Sequence, residues 1–450
     1  MKPRYKMKAW MMALGTMTSA LVYAQDSTIH MFTAQQAAEY AMKNNVQVKN
    51  ALLDIQLQEQ TNRDLTSAAY PQLNANGSFT YNAKIPVSLV PGDFFGQPGT
   101  FIPVQFGVRY NALGGLTLDQ LLFDGQVFVG LQARQTAIDW KAKSAEVTEE
   151  MIRANIYKIY YQLVASRTQI QLLDANIARL DKLLHDTKEI YKNGFAEKLD
   201  VDRVSVQMAN VQSAKVSTLN QINNGYLGLK LLMGMPIKDS LVLTEEVTYE
   251  RVKQGLLDGS TFSYTDRKEY QYLELGIKLN EYNIKRYKLS KIPTFRLTGY
   301  YNESGQQNEF TYFKNTPQKI WYPSSALTLS MNVPIFHGFS TNAKIASAKL
   351  DLQKSLNLKE DLKLQIQNEV ETAKNNFQTA ITNLDFQKQN MELAENVYNQ
   401  TKKKYEAGTG DQIEIINAET DLRTAQTNYL TAMYNAIIAK VDYLKAIGKF

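Results

Sequence analysis

At 450 residues the chain has room for two or three ordinary domains or for one elongated one. Its formal charge of +6 is misleading, because Lys2, Arg4, Lys6 and Lys8 lie in a first stretch that carries no acid, leaving +2 for the remainder. With basic stretches that are not interleaved with aromatics on one face, the chain lacks the electrostatic footprint of a nucleic-acid binder. The absence of any cysteine excludes disulfides and lipid attachment through an N-terminal Cys.

The first 24 residues read as a secretory signal: four basic residues, an apolar run from Ala9 to Val22, and a small-residue cleavage site at Val22-Tyr23-Ala24. No later stretch approaches the roughly 20 apolar residues of a transmembrane helix. A helix is predicted from Thr33, as N-cap, to about Ala69, with Ala37, Ala41, Val46, Leu53 and Ile55 as buried candidates and Tyr70-Pro71 as its stop. Then Leu73, Ala75, Gly77, Phe79 and Tyr81 alternate with Asn74, Asn76, Ser78, Thr80 and Asn82, a period of two with one apolar face. Residues 83–114, dense in Pro, Gly and aromatics, read as a long loop, and a second alternating strand is expected over Leu116–Phe123.

A long helix is predicted from about Gln126 to Ile190, with Ile156, Leu163, Ile170, Ile177, Leu184 and Tyr191 recurring every seven residues and Thr187 a polar exception. It ends in a Gly turn, 191–200, and a further helix runs on to Met235-Pro236; residues 237–265 are mixed and loop-like. The pattern then restarts. A helix over Arg267–Ser290 leads to Ile292-Pro293, a strand over 295–302, a loop rich in Asn and aromatics, and a strand over 325–333.

From Phe339 to Tyr405 there is neither Gly nor Pro, and Val370, Phe377, Leu384, Met391 and Tyr398 recur at sevens beside Ile366, Ala373, Ala380, Gln387 and Ala394. At about 1.5 Å per residue this helix reaches roughly 100 Å. Gly408 and Gly410 break it, Asp411 with Glu414 have the spacing of a capping box, and the last helix runs to about Ala446. Pro71–Gly77 matches Pro293–Gly299, Phe123-Asp124-Gly125 matches Phe336-His337-Gly338, and Gly194 matches Gly408. These matches predict an internal duplication, about 33–236 and 265–450, within one elongated unit over 25–450, with 237–265 connecting the repeats.

Four alternating strands of transmembrane length cannot close a barrel, and an open edge is not viable in lipid. Several copies must therefore pool their strands; three would supply twelve and would align the long helices into a tube. The fold class expected is mainly α with a membrane β-barrel part. Each protomer brings two very long heptad helices, shorter stacked helices and four strands, and a trimer forms a 12-stranded barrel on an α-helical tunnel.

In this order of elements the chain resembles the TolC-like outer-membrane efflux proteins. The resemblance rests on Tyr70-Pro71 and Ile292-Pro293, on the strand endings 121–125 and 333–339, and on two turns that share Tyr-x-x-Gly and a following acid: Tyr191, Gly194, Asp200 and Tyr405, Gly408, Glu414. It implies barrel hairpins at 72–123 and 294–335, tunnel helices at 125–235 and 339–447, and periplasmic tips at 191–200 and 405–414. It further implies a homotrimer spanning outer-membrane lipid and periplasm. Such a trimer would be the passive exit duct of a tripartite pump or type I secretion system, with a periplasmic adaptor (membrane fusion protein) and an inner-membrane transporter as partners. By the same resemblance Tyr191, Gly194, Gly408 and Gly410 are adaptor-docking positions, and Asp200, Tyr405 and Glu414 form a gate or constriction. Gly410 and Asn417 depart from the family's pattern of basic and acidic residues, which points to a gate with fewer ion pairs.

A stand-alone diffusion porin and a periplasmic coiled-coil scaffold are the alternative readings. His30, His185 and His337 lie far apart without metal-ligand spacing, and there is no nucleophile elbow or phosphate loop. No enzyme, cofactor or metal is therefore expected.

Overall fold

The computed structural model describes residues 28–253, 262–314 and 321–450, so the signal expected over 1–24 lies outside the described residues. Thr33 opens the first helix as the sequence predicts. Its hydroxyl accepts from the Gln36 N–H at 3.2 Å, and the Gln36 side chain accepts from the Thr33 N–H at 2.9 Å. A single helix to Ala69 does not form. Helix α1 (Ala34–Asn44) stops at Asn45, whose side-chain oxygen caps α2 (Val46–Ser67) by accepting from the Gln47 and Val48 N–H groups. The same amide donates to the Leu232 carbonyl at 2.6 Å, so one Asn both breaks the helix and ties it to a distant segment. Ala37 and Ala41 are buried as expected, whereas Val46 and Leu53 end up exposed, because the break rotates α2 relative to α1.

Strand β1 (Ile29–Phe32) pairs in parallel with β6 (Ser240–Leu243), inside the segment expected to be loop-like, and α5 (Tyr249–Lys253) follows; residues 254–261 are outside the description. Strand β2 (Gln72–Tyr81) leads not into a loop but into a two-stranded hairpin, β3 (Val87–Pro91) with β4 (Phe101–Gln105). Its glycines lie outside the two short strands, while Pro91 ends β3 and Pro103 sits within β4 opposite Leu89. Strand β5 (Tyr110–Phe123) begins six residues earlier than the alternation suggests. Strand β7 (Thr294–Gln307) is likewise longer than expected, and β8 (Trp321–Asn332) starts four residues early; residues 315–320 of the intervening loop are outside the description.

Helices α3 (Gly125–Lys192, 68 residues) and α4 (Lys198–Met233, 36) form one hairpin, and α7 (Ser340–Glu406, 67) and α8 (Gln412–Ala446, 35) form the other. Helix α6 (Lys268–Leu289) matches α2 at 22 residues each. The heptad seams are where the helices bury side chains. Ile156, Leu163, Leu173, Leu180 and Leu184 of α3 are buried, as are Ile366, Ala373, Phe377, Leu384 and Tyr398 of α7. A middle core packs Ile152, Ile156, Leu163, Leu229 and Met233 beneath α1 and the β1–β6 pair. Tyr160 pins this pair, donating to the Phe32 carbonyl at 2.8 Å and accepting from the Glu245 N–H at 3.1 Å.

Among the described residues no helix is long and apolar enough to cross a membrane.

Candidate functional site

At one end of the molecule β2, β5, β7 and β8 form an antiparallel sheet in that order. Directly paired residues share a face, so the register decides whether the alternation read in each strand adds up across the sheet. It does. Leu73 lies opposite Leu118, Ala75 opposite Leu116, Leu116 opposite Tyr301, Leu297 opposite Leu329 and Phe295 opposite Met331. One face is apolar along most of its length, broken by Ser325 opposite Tyr301 and by Glu303 opposite Pro323, and Leu73, Leu327, Leu329 and Met331 are each at least 60% exposed on it. The other face gathers Asn74, Thr117, Tyr300 and Ser325's neighbours Ser324 and Ala326, and across it Arg296 pairs with Asp119. An exposed apolar face backed by a polar one is the pattern of a sheet with lipid on one side and water on the other. Among the described residues, both outer strands, β2 and β8, have unpaired edges.

At the far end of the helices both hairpin turns use one device. In α3 the Gly194 N–H donates to the Tyr191 carbonyl (2.9 Å) and the Phe195 N–H to the Ile190 carbonyl (3.0 Å); in α7 Gly408 donates to Tyr405 and Thr409 to Lys404, both at 3.0 Å. These are paired Schellman closures, which satisfy the last carbonyls of each helix and require a left-handed residue at one position. Gly194 (φ 81°) and Gly408 (φ 72°) supply it. Gly410 serves differently: a Cβ there would lie 2.9 Å from the Tyr405 backbone nitrogen, so the chain folds back too tightly for a side chain.

The capping box expected of Asp411 and Glu414 is one-sided. Asp411 accepts from the Ile413 N–H at 3.2 Å, but Glu414 does not reach back and stays exposed in the first turn of α8. In the other repeat the acid does reach back, the Asp200 carboxylate accepting from the Glu197 N–H at 3.1 Å. Asp200 also lies 3.6 Å from Arg203. Tyr405 is half-buried against Leu184, Val204, Tyr398 and Ile415. Among the described residues no hydrogen bond or ion pair joins Asp200 to Tyr405 within the chain. Tyr191 and Phe195 are exposed at the tip, Phe195 by 86%.

Two ties between the hairpins escape the sequence reading. Gln412, buried at the start of α8, donates to Thr187 of α3 (3.3 Å) and to the Asp200 carbonyl of α4 (3.1 Å). About two turns further along α8, Glu419 is 2% exposed and paired with Arg179 of α3 at 3.0 Å; Arg179 also bonds Asn176 and lies over the Tyr398 ring. Burial raises the Glu419 carboxyl above the usual range, and Arg179 opposes this without cancelling it. The signal was present: Gln412, Glu419 and Gln426 recur at sevens, polar residues on a row that ought to be apolar.

The molecule is thus an exposed-apolar sheet carried on two helical hairpins of roughly 100 Å. Residues 268–449 match the profile of the family described as Outer membrane efflux protein. The chain is similar to Outer membrane protein TolC of Vibrio cholerae serotype O1, 21% identical over 74% of this chain and 76% of that protein. It is also similar to Outer membrane protein TolC of Escherichia coli K12, 19% identical over 76% of this chain and 70% of that protein. Among solved structures it superposes on CusC with a TM-score of 0.74 (16% identity, 92% of each chain). It superposes on VceC of Vibrio cholerae with a TM-score of 0.71 (15% identity, 92% of this chain and 96% of that one). The resemblance to the TolC-like outer-membrane efflux proteins therefore holds at the level of sequence and of fold.

Proposed function

We propose that the chain is the outer-membrane exit channel of a tripartite efflux pump or type I secretion system, a homotrimeric, passive conduit without enzymatic activity. The observation that carries this is the sheet, apolar on one face, polar on the other and unpaired at both edges. In the order β2-β5-β7-β8 every neighbour is antiparallel, so β8 of one copy meets β2 of the next in the same sense. Three copies close a ring of twelve strands without a parallel seam, and an edgeless barrel is what lipid demands. The helical hairpins of the same copies enclose the periplasmic bore.

The tips are the end at which an adaptor docks and the bore narrows. Gly194, Gly408 and Gly410 keep both turns slim, with Tyr191 alongside them. Asp200, Tyr405 and Glu414 surround the entrance, and three copies of the exposed Glu414 raise the local cation concentration. Since Asp200 and Tyr405 do not meet within one chain, the gate they form lies between copies. An inner-membrane transporter supplies the energy, because the duct itself only provides a path.

Single-channel recording in planar bilayers tests the reading. Purified protein is expected to run as a trimer and to conduct with cation preference that falls in Glu414→Gln. Oxidising the Asp200→Cys/Tyr405→Cys variant is expected to abolish conduction reversibly. A monomer that remains in aqueous buffer, or full conduction in the cross-linked variant, would overturn the channel or the gate respectively.

A further inference from the structure

The segment 85–108 has no part in the site described above, and it is chemically unusual: Asp93 is its one charged residue. Among the described residues, strands β3 and β4 pair with each other and with no other strand. Leu89, Phe94, Phe101 and Phe106 are each at least 60% exposed. An isolated two-stranded ribbon is marginal in water, and this one adds a bare apolar surface that soluble proteins do not leave uncovered. Hydrocarbon is not what covers it. The ten residues of β2 already match the roughly 9–11 residues of a strand crossing the bilayer core, and the hairpin lies beyond their end.

Its root shows what does. Tyr81, the end of β2, is opposite Tyr110; Tyr110 is opposite Gln307; and Gly305, two residues before, is opposite Trp321, where β8 begins. The hairpin thus leaves from the outer end of a free edge. In a closed ring the start of the next copy's β8 lies beside that edge. This end of every copy carries exposed aromatics: Trp321 and Tyr322 on β8, with Phe310 and Phe313 just after β7. Phe310 meets Phe79 and Tyr110 edge-on, which holds this segment over the apolar face of the sheet.

We propose that the 85–108 hairpin is a strap that crosses the subunit boundary and packs its apolar side chains on the aromatic outer end of the adjacent copy. The strap rests on the trimeric-channel reading and adds a partner surface to it. It strengthens the seam where β2 and β8 of different copies meet.

The native chain has no cysteine, so introduced thiols report cleanly. In the full-length protein in lipid, Leu89→Cys with Phe313→Cys is expected to give reducible intermolecular bands on oxidation, and neither single variant the same ladder. Leu89→Asp with Phe101→Asp is expected to lower the temperature at which the trimer dissociates in detergent. Both side chains are exposed in the protomer, so its own fold is spared. A disulfide that leaves the mass unchanged, or none, overturns the strap. So does a nitroxide on Leu89→Cys that lipid-soluble oxygen relaxes as strongly as one on Leu329→Cys, since the hairpin would then lie in lipid. Lysine-directed cross-linking of the unaltered chain separates the two readings. Trimers without the thiol ladder leave the channel standing and remove the strap; no trimers remove both.

Discussion

Glu419 is a carboxylate inside a helical interface, held by Arg179 on one side and by the loss of water on all others. Removing one partner of a buried pair leaves the other charge uncompensated, which costs more than the pair is worth. Arg179→Ala should therefore destabilise the tip-side half of the bundle by about 3 kcal/mol, the lower end of the usual range because Arg179 itself is partly exposed. Thermal or denaturant unfolding measures it. The pH dependence has a definite sign. The folded chain holds the Glu419 proton more tightly than the unfolded chain, whose carboxyl titrates near 4.5. Its contribution to stability is therefore full below that value and declines as pH rises through the raised native value. Glu419→Gln should flatten this decline, visible as a smaller change in unfolding midpoint between acid and neutral pH. Polar residues at sevens announced this network in the sequence; their partners did not, because Arg179 and Glu419 are 240 residues apart.

Strands and helices carry their information differently. In the sheet, parity sorts each side chain to one face or the other, and the register carries that sorting across four strands. Leu329 and Thr328 are chain neighbours with opposite fates. Leu329→Arg, on the apolar face, should cost about 2–4 kcal/mol of insertion free energy, whereas Thr328→Arg should insert nearly normally. The fraction of each variant recovered in the outer-membrane fraction as heat-modifiable trimer checks this. The helices follow a heptad rule, and it was legible in part: Ile156, Leu163 and Leu184 of α3 and Ile366, Ala373, Phe377, Leu384 and Tyr398 of α7 are buried, whereas Ile170, Ile177, Val370 and Met391 are only partly so and Tyr191 is exposed. Element boundaries were less so. Asn45 splits the first helix by satisfying backbone groups on both sides of itself, and 83–114 hides a hairpin because Pro and Gly mark its turns as well as they would mark a loop.

The protomer taken alone is unfinished. Leu350, Leu358, Leu364, Phe386 and Leu393 of α7 and Val206, Val216 and Leu231 of α4 are all exposed. Charged residues would be expected there on a helix meant to face water. On the trimeric reading proposed above, the helices serve two sets of neighbours, one within the chain and one in other copies. Phe386→Asp with Leu393→Asp should lower the dissociation temperature of the trimer in detergent while leaving the helical circular dichroism of the protomer unchanged. Equal loss of both signals would mean that these side chains support the chain itself.

Sequence alone carried the things that depend on local periodicity: where the long helices and the four strands of the main sheet lie, and which of those strand faces is apolar. These follow from backbone geometry, which repeats every two or 3.6 residues whatever lies beyond. Tertiary structure alone decided what each side chain meets. It showed that Asp200 spends its carboxylate on its own helix cap, that Glu419 and Gln412 bind the two hairpins together, and that the four apolar strand faces fall in register with both edges left open. Such pairings depend on how segments far apart in the chain come to lie side by side, and no local pattern encodes that distance.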